Sequence, residues 1–252
     1  MPIFELIAPL SLIAACAIVF VAYFIFGISG FGSSIIAVPI LVLFFPLQIV
    51  VPLMVILDLC AAFYLGGKSY READKKELTW LFPFTLVGMV IGITLLLNAP
   101  QKPLLILLGI FAAANGIRVL TRSQSKPIHI ISRYWAILFG AIGGVFTALY
   151  ATGGVIYASY LSMRLDQPMR LRATMALAIL VLVFMRLLFM LFTGLILHMP
   201  ILTLGLILIP CMIAGLWLGS KAHRNLSKHR MQQTYGLILL FAGSVLLLKQ
   251  AI

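Results

Sequence analysis

The chemistry available to this chain sits in four places along an otherwise apolar sequence. A run of small and hydroxyl residues, Gly27-Ile28-Ser29-Gly30-Phe31-Gly32-Ser33-Ser34, interrupts one hydrophobic stretch, and Ala151-Thr152-Gly153-Gly154 interrupts another. Asp58 and Arg186 are charges that fall deep inside hydrophobic stretches. Glycines let backbone approach a ligand and adopt φ > 0, and the first N–H groups of a following helix, with its positive dipole end, point at negative charge. Gly30, Gly32, Ser33 and Ser34 on one side, with Thr152, Gly153 and Gly154 on the other, are therefore candidates to bind a small anion jointly. The competing reading is that these glycines only allow close helix packing. A charge at a bilayer centre costs roughly 2.5–3.5 kcal/mol on insertion scales, so Asp58 and Arg186 must face protein or water, or reach an interface. Arg186 is the candidate to attract the anion and Asp58 the candidate to carry a proton; a structural pair, or an Arg186 that snorkels, is the alternative.

The elements that position these residues follow from composition. Of 252 residues, 63% are hydrophobic and 10% charged, against roughly 45–50% and 25% in soluble domains. That predicts an all-α integral membrane protein with the lipid bilayer as its main partner, and leaves no length for a soluble catalytic domain. Apolar runs fall at 9–26, 33–45, 48–66, 79–98, 103–120, 134–150, 153–163, 173–192, 200–219 and 231–249. The runs 33–45 and 153–163 are too short to cross about 30 Å of hydrocarbon, and each follows one of the small-residue breaks, so both read as half-helices.

The net charge of +12 lies in short clusters between the runs, not in a stripe, which excludes nucleic acid as a partner and matches the positive-inside pattern. Lys68, Arg71, Lys75 and Lys76, then Arg118, Arg122, Lys126 and Arg133, then Arg164, Arg170 and Arg172, and last Lys221, Arg224, Lys228 and Arg230 mark four cytoplasmic loops. Both termini are then outside. Trp80, Trp135 and Trp217 each flank a basic loop as interfacial anchors.

Internal repetition carries the architecture. Gly67, Pro83, Gly88, Gly92, Gly109 and Gly116 recur as Gly194, Pro210, Gly215, Gly219, Gly236 and Gly243 at one offset of 127 residues, and the half-helix at 31–36 aligns with 151–156 at an offset of 120. The division is a first repeat 1–123, a cytoplasmic linker 124–131 and a second repeat 132–252, each repeat opening on a broken-helix or re-entrant hairpin. Five segments per half make the repeats inverted, and the basic loop 67–78 maps onto 194–205, which has no Lys or Arg. Two inverted repeats with broken helices are a secondary-transporter architecture.

The Gly-rich break leading into a half-helix with Pro39, its weaker copy at 151–161, and the paired Pro-x4-Gly-x3-Gly helices resemble the sulfite exporter TauE/SafE family, also called the 4-toluene sulfonate uptake permease family. The second copy departs from the pattern, with Ser159 where the first has Pro39. The resemblance implies a multi-pass bacterial inner-membrane carrier of sulfite, thiosulfate or organosulfonate, coupled to H+ or Na+, with no cofactor; a homodimer is a candidate assembly. An anion channel is the rival reading. An intramembrane serine protease is suggested by Gly27-Ile28-Ser29-Gly30, but His129, His198, His223 and His229 are not mid-span, so the serine lacks a base. Cys16, Cys60 and Cys211 read as isolated small hydrophobes, which disfavours a disulfide, a zinc site or a persulfide relay.

Overall fold

The computed structural model describes residues 9–29, 32–65, 73–121, 131–197, 199–222 and 228–251. The first half contains α1 (Pro9–Ser29), α2 (Ser33–Leu41), α3 (Leu47–Leu65), α4 (Lys75–Asn98) and α5 (Gln101–Thr121). The second contains α6 (Trp135–Tyr150), α7 (Gly154–Ser162), α8 (Pro168–Phe192), α9 (Met199–Ala222) and α10 (Lys228–Ala251), with a 3-10 turn at Leu195–Leu197. Each apolar run becomes a helix. The main differences are at the starts of α4 and α8, which begin earlier than the runs. Asp74 caps α4 by accepting from the Lys76 and Glu77 N–H groups, and Pro168 opens α8 with its φ already helical, so polar residues join both helices.

Six helices, α1, α3, α4, α5, α8 and α9, are long and apolar enough to cross a bilayer, while α6 and α10 contribute the shorter apolar stretches Trp135–Tyr150 and Thr234–Gln250. The chain is a multi-pass membrane protein. The half-helices α2 and α7 have nine residues each, about 14 Å at 1.5 Å per residue. Around them, α1 packs on α9, α4 on α6 and α5 on α10. Leu, Ile and Phe side chains that point outward, such as Phe241 and Leu206, face lipid in such a protein.

The recurring glycines are the crossing points of these pairs. A Cβ on Gly88 would strike the Ala141 carbonyl and the Val145 N–H of α6, and one on Gly215 would strike the Phe20 carbonyl and the Phe24 N–H of α1. Gly92 abuts the Val145 carbonyl, Gly219 the Phe24 carbonyl. Between α5 and α10, Gly109 lies against Leu247 and Gly236 against Leu120, while Gly116 meets Leu240 N and Gly243 meets Ala113 N. These contacts give Gly88-x3-Gly92 and Gly215-x3-Gly219 a close-packing role. Gly27 belongs to the same class. It lies within α1 against the Leu216 carbonyl of α9, so the first break starts only after Ser29.

Both breaks use a left-handed residue. Gly32, the N-cap of α2, has φ 95°, which suits glycine. At the second break the left-handed position is Ala151 at φ 61°, not a glycine. Ala151 N donates to Thr147 O, the single bond of an αL helix ending, and Thr152 N to Phe146 O, which together offset the roughly 1–2 kcal/mol cost of this conformation for a residue with a Cβ.

The helix ends marked by basic residues are tied together by a buried carboxylate. Glu77, in the first turn of α4, accepts from Arg133 Nε at 3.0 Å, from Arg164 Nη2 at 2.7 Å and from Tyr160 Oη at 2.9 Å. Arg133 and Arg164, read from sequence as loop charges, are therefore also structural. Arg164 is held firmly protonated by the Glu77 carboxylate beside it. At the same face Trp217 stacks under the Lys221 ammonium, 3.7 Å from its ring centre.

Candidate functional site: a central cavity between two half-helix tips

The start of α2, the turn before α7, and the middles of α3 and α8 enclose a cavity of about 50 Å³. Its polar lining includes Gly32, Ser33, Ser34, Asp58, Thr147, Thr152, Gly154 and Arg186, and Phe26, Ile179, Leu182 and Val183 close its apolar side. The two breaks and the two deep charges thus meet in one place. Gly30 lies outside the described residues.

Asp58 and Arg186 pair directly, with Arg186 Nη2 3.2 Å from Asp58 Oδ2. Helix-length arithmetic places Asp58 nearer one face and Arg186 nearer the other, and the reach of arginine spans the difference. Asp58 also accepts from Tyr23 Oη at 2.6 Å, Ser33 Oγ at 2.9 Å and Ser34 Oγ at 2.8 Å. Four donors match the roughly four lone-pair sites of a carboxylate. The Ser33 and Ser34 protons therefore point at Asp58, so what α2 can offer a ligand is its backbone N–H groups and dipole. Tyr23 had no marker in the sequence beyond a phenol in the middle of an apolar run.

Arg186 is 2% exposed. Its Nη1 reaches the Thr147 carbonyl at 3.5 Å, at the edge of hydrogen-bond range, and its Nε has no partner among the described residues. Thr152 Oγ1 is likewise buried and unpartnered. Both line the cavity, and each leaves a donor unsatisfied, a state that costs about 1–3 kcal/mol for a buried polar group.

The glycines of the second break divide. Gly154 lines the cavity and has nothing within 4 Å of a Cβ added to it. Gly153 does not line it; a Cβ there would collide with Thr147 Oγ1 and the Gly143 carbonyl. Gly153 lets α7 dock on α6, and Gly154 leaves space for a ligand. The side chains of the four histidines lie outside those described. Cys16, Cys60 and Cys211 are free thiols, and Cys16 and Cys211 are neighbours across the α1–α9 contact.

A chain of membrane-crossing helices with two half-helices meeting at a buried, donor-rich cavity defines an integral membrane transporter of the broken-helix kind. The family model for the sulfite exporter TauE/SafE family matches residues 15–246, so the chain belongs to that family. It is 24% identical over 192 residues to the probable inner membrane transporter protein TsaS of Comamonas testosteroni, covering 76% of this chain and 80% of that one. No solved structure matches it.

Proposed function

We propose that this protein is a secondary active carrier of a small sulfur oxyanion across the bacterial inner membrane, holding the anion between the tips of α2 and α7 beside Arg186. The observation that carries this reading is the pair of unsatisfied buried donors, Arg186 Nε and Thr152 Oγ1, on two residues that line one cavity. Family membership and the transporter name of the relative agree with it. At about 10–15 Å³ of such volume per water, a 50 Å³ cavity takes a group of about four heavy atoms. Sulfite, or thiosulfate with slight expansion, fits this conformation better than an aryl sulfonate.

The halves 1–123 and 132–252 act as inverted repeats that exchange conformations, with both termini outside and the basic helix ends in the cytoplasm. Supporting this, the contacts of Gly88, Gly92, Gly109 and Gly116 repeat at Gly215, Gly219, Gly236 and Gly243 with equivalent partners. A channel gains nothing from such exchange. Asp58 is the coupling group: taking up H+ or Na+ there weakens its hold on Ser33, Ser34 and Arg186 together, loosening α3 from α2 and α8. The test is sulfite flux into liposomes holding the purified protein under an imposed pH or Na+ gradient. Uphill accumulation driven by one gradient supports the reading, and flux that only follows the sulfite gradient supports the channel.

A further inference from the structure

Half-helix α7 is lined on two sides by open space. Val155 borders the central cavity and also a second recess of about 230 Å³ among α5, α6 and α7. The polar lining of the recess is Asn115, Arg118 and Ser159, and Phe111 and Phe139 are among its apolar walls. Arg118 Nη1 donates to Ser159 Oγ at 2.9 Å, and Ser159 Oγ donates to the Val155 carbonyl at 2.8 Å. Arg118 is in the last turn of α5, at the basic end of the bundle.

The three polar residues have no counterparts in the other half. At the offset of 127, Asn115 and Arg118 correspond to Ala242 and Val245, and at the offset of 120, Ser159 corresponds to Pro39. A device needed for packing recurs in both halves, as the glycine contacts do. A polar group set built on one side only serves something that happens at one face. Ser159, the residue by which the second half-helix departs from the first, is the one that meets Arg118.

We propose that this recess is a second anion site, which takes a small oxyanion still partly hydrated, and that Val155 is the partition between it and the central cavity. The recess is several times larger than the central cavity, so it holds the anion together with a few waters at about 10–15 Å³ each. A guanidinium presents its donors in a fork that matches oxyanion geometry. Passing Val155 is then the step at which the remaining water is shed and the Arg186 and Thr152 donors replace it. That passage rests on the transport reading; occupancy of the recess does not.

An anionic phospholipid carries the same oxyanion chemistry, so the experiment has an arm for each source. Ser159→Cys, and separately Asn115→Cys, are placed in a chain whose Cys16, Cys60 and Cys211 are replaced by serine, in phospholipid-free micelles. An anionic methanethiosulfonate reagent should modify either cysteine about tenfold faster than a cationic one, relative to a free thiol. Sulfate should slow the reaction more than chloride at equal ionic strength, and Arg118→Gln should remove both effects. Equal relative rates, or no protection by sulfate, overturns the site. Protection by phosphatidylglycerol but not by sulfate assigns the recess to lipid and also overturns it. Anion preference in the recess without sulfite flux in liposomes would sink the transport reading and leave the site; flux without the preference would do the reverse.

Discussion

Arg186 Nη2 lies 3.2 Å from Asp58 Oδ2, joining α8 to α3 at the floor of the central cavity. The two helices hold matching places in the two halves, since Asp58 and Met185 are 127 residues apart and Arg186 is the next residue. The ion pair therefore links the two halves, with one guanidinium nitrogen, Nη2, bound to the carboxylate and another, Nε, without a partner among the described residues.

Removing one partner of a buried pair strands the other charge and costs about 3–5 kcal/mol. Asp58→Asn and Arg186→Met should each lower the melting temperature in micelles by several degrees, and the double variant should regain most of the loss. Neither Arg186→Met nor the double variant, which lack the guanidinium, should be stabilised further by sulfite, whereas Asp58→Asn, which keeps it, should be. Single variants that melt like wild type would mean that the pair is open to water.

Gly153 and Gly154 separate packing from binding. Gly153→Val should fail to yield folded protein, because its side chain meets Thr147 and the Gly143 carbonyl. Gly154→Val should fold, since a Cβ there has open space, and should lose thermal stabilisation by sulfite. Full stabilisation of Gly154→Val would move the anion out of this cavity.

The Glu77 knot should rank its own members. Arg133 is 43% exposed at its side chain and Arg164 15%, so Arg133→Gln should cost under about 1 kcal/mol and Arg164→Gln about 2–3. Glu77→Gln, which removes the negative charge between two cations and puts an NH2 donor where one acceptor oxygen was, should cost most. Melting temperatures in one detergent give the order, and an Arg133→Gln variant as unstable as Glu77→Gln would contradict it.

Sidedness is open to labelling. Cysteines at Ser132, beside the Glu77 knot, and at Asn98, at the far end of α4, are both at exposed positions. In intact cells an impermeant maleimide should label Asn98→Cys and spare Ser132→Cys. The opposite result would invert the orientation read from the basic loops.

Much of this arrangement is legible in the sequence because a bilayer imposes simple length rules: six of the eight long apolar runs become helices long and apolar enough to span, and the two short runs become nine-residue helices. Asp58, Arg186 and the glycine breaks stand out since polar and small residues are rare there. Glu77 does not stand out. It sits three residues after Asp74, where acidic residues commonly serve a helix N-terminus, and nothing local reveals that Arg133, Tyr160 and Arg164 converge on it from far along the chain. Tyr23 is hidden for a related reason, as a phenol in an apolar run reads as core until its partner is known. The direction of the Ser33 and Ser34 hydroxyls toward Asp58 depends on α3 being their neighbour, which spacing along the chain does not disclose.

The central claim is that a small sulfur oxyanion is carried by exchange of two conformations around the Arg186 cavity. Counterflow tests it most directly. Liposomes containing the protein are loaded with unlabelled sulfite, diluted into a trace of radiolabelled sulfite, and sampled over time. The expected result is transient accumulation of label above its equilibrium level in wild type, absent in Gly154→Val. Label that rises only to equilibrium in wild type, or an equal overshoot in Gly154→Val, would contradict a carrier built around this cavity.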